Sequence, residues 1–147
     1  MMDHSHIHRE VANMKRSLFD QGYLDGQFHQ LEDLEDDLSP NFVEEVVTLF
    51  FRDSSRLIRN AEQALEKTPH DFTKLDGIMY QLKGSSSSIG AVKVRNECSN
   101  FRGFCNQGNM EGCLSSFQKL KREHLVLRQK LENYFQMLTQ VTPAENV

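Results

Sequence analysis

No stretch of this chain approaches the roughly 20 consecutive apolar residues that a membrane-spanning helix needs, so a membrane protein is not expected. The first twenty residues also lack the apolar centre of a secretory signal. There is no excess of basic charge: 17 Lys and Arg stand against 21 Asp and Glu, for a net charge of −4. That balance argues against nucleic acid as a partner, because a phosphate-backbone binder normally carries a basic stripe. It leaves room for a partner with a basic docking face. Cysteine is scarce, and the three present cannot all pair internally or form a C-x-x-C redox or zinc site. Cys98 and Cys105 share a helical pattern with Phe101 and read as buried, reduced thiols, which points to the cytosol or nucleus. No Ser/His/Asp set, phosphate loop or H-E-x-x-H motif is present, so neither an enzyme nor a cofactor is expected.

What the chain does have is helical periodicity throughout, with no alternating strand pattern. Its 147 residues suit one domain, since domains most often hold about 100–150 residues. Val11, Met14 and Leu18 mark a short first helix, and Leu24, Phe28, Leu31 and Leu34 a second, together covering about residues 4–35. The acidic cluster Glu32–Asp37 then reads as a solvated helix end, with electrostatic docking as the other reading. Ser39 and Pro40 are placed to cap and start a third helix, which runs to about Lys67 on Phe42, Val43, Val46, Val47, Phe50, Leu57, Ile58, Ala61 and Leu65. Thr68, Pro69 and Asp71 provide the cap, first turn and capping-box acid of a fourth, ended by Gly90. Val94, Cys98, Phe101 and Cys105 carry a fifth, stopped by Gly108, and Asn109 can cap the sixth. Phe117, Leu120, His124, Leu127, Leu131, Tyr134 and Leu138 alternate in steps of three and four, the seam of a bundle helix. The expected fold is all-α: an antiparallel up-down four-helix bundle over about residues 40–139, two short N-terminal helices, and a frayed tail at 142–147.

The fourth helix is the informative one. At about 100° per residue, Phe72, Leu75, Ile78, Met79, Leu82, Ser86 and Ile89 gather on one side. Tyr80 points away from them, sharing its side with Thr73, Asp76, Gly77, Lys83, Gly84 and Ser87. Each interior glycine costs roughly 1 kcal/mol against alanine in a helix, and the serine run adds smaller penalties. A segment so poor in helix formers suits close approach by another molecule better than it suits stability. Lys83 lies one turn along and can place an ammonium beside an anion held at Tyr80; Ser87 can add a hydroxyl, and Gly84 leaves room for the carrier. The plain alternative is a surface tyrosine on a glycine-rich helix.

The histidines read mostly as ordinary residues. His4, His6 and His8 suggest a solvated, partly disordered segment rather than a metal site, His124 a hydrogen-bonded core imidazole, and His29 and His70 helix-surface residues. The charged stretch Lys119–Lys130 carries both signs and reads as the wet face of a helix.

The run Tyr80-Gln81-Leu82-Lys83-Gly84-Ser85-Ser86-Ser87-Ser88-Ile89-Gly90-Ala91 resembles the motif H-Q-L-K-G-S-S-S-S-[IV]-G-A of plant histidine-containing phosphotransfer proteins. The resemblance extends through Phe19–Asp25, Asn41–Phe51, Asn96–Cys98, Gly112–Leu114 and Leu131–Phe135, nearly the whole chain. It implies a monomer that moves between cytoplasm and nucleus in the cytokinin phosphorelay, with receiver domains of hybrid sensor kinases and of response regulators as partners. By position it makes Lys83 the phosphate-neutralising residue and Gly84 the one allowing receiver approach. The docking surface would then join the Tyr80 face, including Gly77, Gln81 and Ser87, to Leu24, Phe28 and Leu31.

One departure dominates: the family's phosphoacceptor histidine is Tyr80 here. A neutral imidazole carries a nucleophilic nitrogen near neutral pH, and its phosphoramidate stays energetic enough to pass the group on. A phenol, with a pKa of about 10 and no evident base nearby, attacks slowly, and its phosphate ester is too low in energy to return the group. His70 lies about 15 Å away along a helix, and His29 lacks the lysine and glycine setting. The chain therefore resembles the pseudo-phosphotransfer subgroup, whose members dampen the pathway. The competing expectation is an active relay between kinases and regulators, and a third is phosphorylation of Tyr80 itself.

Overall fold

The computed structural model describes residues 4–141, without the side chains of 4 and 5; the tail at 142–147 and the His4 imidazole lie outside the described residues. Six helices follow in order: α1 His4–Asp20, α2 Gly26–Asp33, α3 Phe42–Glu66, α4 Phe72–Ile89, α5 Val92–Asn106 and α6 Met110–Val141. Among the described residues the only β-type pairings are two isolated bridges. α4 packs between α3 and α5, α6 packs on α5 and α1, and α2 lies on α3 and α4. Short links between packed neighbours make consecutive bundle helices antiparallel. One apolar cluster runs through the centre, from Leu18 and Phe28 to Phe101, Phe117, Leu131 and Tyr134.

The starts of α3 and α4 differ from the sequence expectation, each because a different side chain does the capping. α3 begins at Phe42 rather than at Pro40, and one of its first free N–H groups is met from the acidic cluster: Val43 N donates to Glu35 Oε2 at 3.0 Å. Asp36 Oδ1 accepts from Leu38 N and Ser39 N, folding the link back. α2 ends at Asp33, so Glu35 and Asp36 are loop residues holding a turn and a helix start, not a solvated helix end. α4 begins at Phe72, capped by Asp71, whose Oδ1 accepts from Lys74 N at 3.0 Å; Thr68 and Pro69 stay outside, joined by a cis peptide. α1 is 17 residues long rather than short, because Ile7 adds a buried turn to the stripe of Val11, Met14 and Leu18. Helix therefore replaces the disorder expected around His6 and His8, and His6 Nε2 lies 2.8 Å from Glu10 Oε1.

The helix ends agree with the sequence reading. Gly90 closes α4 at φ +79°, and Ala91 N reaches back to Ser86 O at 2.8 Å. A left-handed residue there meets the last carbonyls of the helix at no steric cost only when it is glycine. Gly108 does the same after α5, and Asn109 Oδ1 accepts from Gly112 N at 2.9 Å to start α6. The turn after α4 also anchors the N-terminal pair of helices. Asp25 N donates to Gly90 O at 3.0 Å, and Asp25 Oδ2 accepts from Arg95 Nη1 at 3.1 Å.

Candidate functional site on the outer face of α4

α4 divides as its periodicity requires. Leu75, Met79, Leu82, Ser86 and Ile89 are fully buried. The Ser86 hydroxyl is satisfied within the helix, donating to Leu82 O at 2.7 Å. On the other side Tyr80 is 64% exposed, and Gly77 and Gly84 flank it with exposed, bare backbone. A Cβ added at either glycine would meet nothing within 4 Å, so neither is required by packing inside this molecule. Gln81 is exposed; Lys83 and Ser87 are half-buried, and Lys83 enters no ion pair among the described residues. The sequence-chosen residues Gly77, Tyr80, Gln81, Lys83, Gly84 and Ser87 thus form one continuous helix face.

Leu24, Phe28 and Leu31 do not join it. They are 3%, 0% and 8% exposed, part of the apolar cluster where α2 seats on α3 and α4, and Phe28 lies edge-on to Phe19. Their side chains hold α2 down and offer nothing to a partner, which corrects the docking expectation for all three.

Arg102, from α5, was not foreseen. Its Nε donates to Asp76 Oδ1 at 2.9 Å, and its Cζ stands 5.0 Å from the centroid of the Tyr80 ring. Hydrogen bonding to Asp76 strengthens the guanidinium's hold on its proton. The sequence held one usable signal: Cys98, Phe101 and Cys105 face the core, so Arg102 sits one position off that seam. Which neighbouring helix it would reach is a tertiary fact that no spacing encodes.

Residues 45–138 match the Hpt domain family. The chain belongs to that family. It is 60% identical over 144 residues to pseudo histidine-containing phosphotransfer protein 2 of Oryza sativa subsp. japonica, covering 98% of this chain and 95% of that protein. It is 62% identical over 116 residues to histidine-containing phosphotransfer protein 4 of Arabidopsis thaliana, covering 79% of this chain and 91% of that one. The crystal structure of a histidine-containing phosphotransfer protein from Medicago truncatula superposes with a TM-score of 0.91 at 44% identity, covering 95% of each chain.

Within this Hpt chain none of His29, His70 and His124 stands on the outer face of α4 beside Lys83. His124 is a core residue, as expected: its Nε2 lies 2.7 Å from Ser54 Oγ, between Phe50 and Phe51, and burial aided by the nearby Arg128 charge pushes its pKa down to about 4. His29 is exposed, stacked on Phe19 at 4.1 Å and 3.2 Å from Glu32 Oε1. His70 precedes α4 rather than lying on a helix surface, and its half-buried ring leaves Nδ1 without a hydrogen bond. The three cysteines are buried free thiols. Burial pushes Cys98 and Cys105 up to about 12, so neither is a ready nucleophile. Among the described residues no helix is long and apolar enough to cross a membrane.

Proposed function

We propose that this chain docks receiver domains of sensor kinases and response regulators through the outer face of α4 without carrying phosphate. Acting so, it dampens a phosphorelay of the cytokinin type by occupying receivers that active phosphotransfer proteins need. One observation supports the reading above others: the exposed centre of the α4 face, flanked by open glycines and followed by Lys83, is a phenol. It stands where the resembling motif has its histidine. Such a surface keeps the shape for approach and lacks the nucleophilic nitrogen.

An active relay has one observation in its favour, the Arabidopsis relative at 62% identity whose name carries no "pseudo". It needs another acceptor, and the histidines do not supply one beside Lys83. His124 is buried, and His29 sits on α2 against Phe19 and Glu32. Two measurements on one preparation separate the readings. An isolated receiver domain titrated into the chain should bind at tens of micromolar or tighter, and a phosphorylated receiver should leave no acid-labile label on it. Absence of binding sinks the docking reading, and transferable acid-labile label establishes the relay. The same reading places the chain in cytoplasm and nucleus as a monomer; imaging of a fluorescent fusion and sedimentation velocity test those two points.

A further inference from the structure

The outer face of α4 carries a cation that belongs to another helix. Arg102 crosses from α5 and is held at two points, by Asp76 Oδ1 at Nε and by the Tyr80 ring beneath its guanidinium carbon. Asp76 and Tyr80 are four residues apart on α4, so both supports lie on one stripe. The pair is not sealed off: the Arg102 and Asp76 side chains are each 29% exposed. The two Nη groups of Arg102 make no hydrogen bond among the described residues. The guanidinium is therefore fixed along one edge and one face, with its outer edge open on the face that carries Lys83.

We propose that Arg102, seated by Asp76 and Tyr80, is the anion-recognising residue of this docking face and takes a carboxylate on the receiver surface. The inference rests on the reading of α4 as a receiver-docking helix. The chemistry suits a planar acid: a guanidinium edge matches a carboxylate with two parallel N–H donors, which an ammonium cannot do. Pre-positioning matters because ordering a free arginine at an interface costs conformational entropy, and here two contacts already hold the arm. Charge points the same way, since Asp76 offsets one cation of the Arg102 and Lys83 pair and leaves the face with a net positive charge. Tyr80 thereby acquires a purpose that needs no phosphorylation. Its electron-rich ring seats the guanidinium, whereas a protonated imidazole there would repel it.

The test is a titration of an isolated receiver domain into wild type and variants at two salt concentrations, with the fold of each variant checked by circular dichroism and thermal melting. Arg102→Ala should weaken binding about tenfold and flatten its salt dependence. Tyr80→Phe should stay within about twofold of wild type, because the ring remains. Tyr80→Ala should lose about as much as Arg102→Ala, and the double variant little more than either, since the two act as one unit. If Arg102→Ala melts early, Arg102→Gln keeps the stem and a donor to Asp76 without the charge, and should show the same loss. Wild-type affinity and an unchanged salt slope in the arginine variants overturn the inference and leave the docking reading intact. Losses at the two positions that simply add overturn the seating by Tyr80. No binding by wild type overturns both readings together.

Discussion

Tyr80 and His124 are rings set mid-way along two helices of the same bundle, and their surroundings are opposite. Tyr80 is open to solvent between two bare glycines, with Arg102 over its face. His124 is 7% exposed, bonded to Ser54 and walled by Phe50 and Phe51. The accessible position has no nucleophilic nitrogen, and the nitrogen inside the bundle has no access. A relay requires both in one residue. Their separation supports the proposal that this Hpt chain binds receivers without carrying phosphate.

The largest expected effect comes from reuniting them. Tyr80→His places an imidazole on the open face, and incubation with a phosphorylated receiver should then give acid-labile label well above the wild-type background. A variant that folds, binds receiver and stays unlabelled would show that more of the face than one ring has changed.

The next effect belongs to the buried ring. The folded imidazole titrates at about 4 against 6.5 when free, so on acidification the unfolded chain takes the proton first. Its contribution is complete above pH 6.5, falls between 6.5 and 4, and changes no further below; the full span is on the order of 3 kcal/mol. Urea midpoints measured across that window should drop with pH in wild type, and His124→Asn should flatten the slope in the upper half, where carboxylates have not begun to titrate.

Two glycines at the edges of the comparison give the smaller effects. Gly90→Ala must hold φ +79° and meets Asp25 Oδ1 at 2.5 Å and Phe28 N at 3.1 Å, so it should cost about 1–2 kcal/mol or more in a denaturant melt. Gly84→Ala enters open space on a regular helix and should raise stability by up to about 1 kcal/mol. The same substitution should weaken receiver binding, which sharpens the view that this glycine serves a partner and not the fold. A Gly84→Ala variant that binds as well as wild type would remove that support.

Most of the bundle was legible because its signals are local. The burial of Leu75, Met79, Leu82 and Ser86 and the exposure of Tyr80 follow from 3.6-residue periodicity, and the stops at Gly90 and Gly108 from the left-handed turns only glycine takes easily. Helix starts were less legible, since several acids and hydroxyls compete for the same free N–H groups. Glu35 and Asp71 prevailed over Ser39 and Thr68 through the path of the loops. Leu24, Phe28 and Leu31 were legible as apolar and misplaced as surface by the resemblance; a helix of eight residues, with Leu24 in the link before it, has too short a pattern to correct that. Arg102 was out of reach for the same kind of reason: its partners are 22 and 26 positions earlier in the chain, on the neighbouring helix.

Asp25 sits where three helices meet. Its backbone N–H holds the Gly90 carbonyl, one carboxylate oxygen caps α2 at Gln27 N, and the other pairs with Arg95 at the start of α5. Three helix termini thus hang on a single peg. A protease cut just ahead of it, or a swap of that acid for its amide, would slacken the far end of the Tyr80 helix without altering its outer face, and the affinity of the proposed receiver partner would then change through loss of alignment alone.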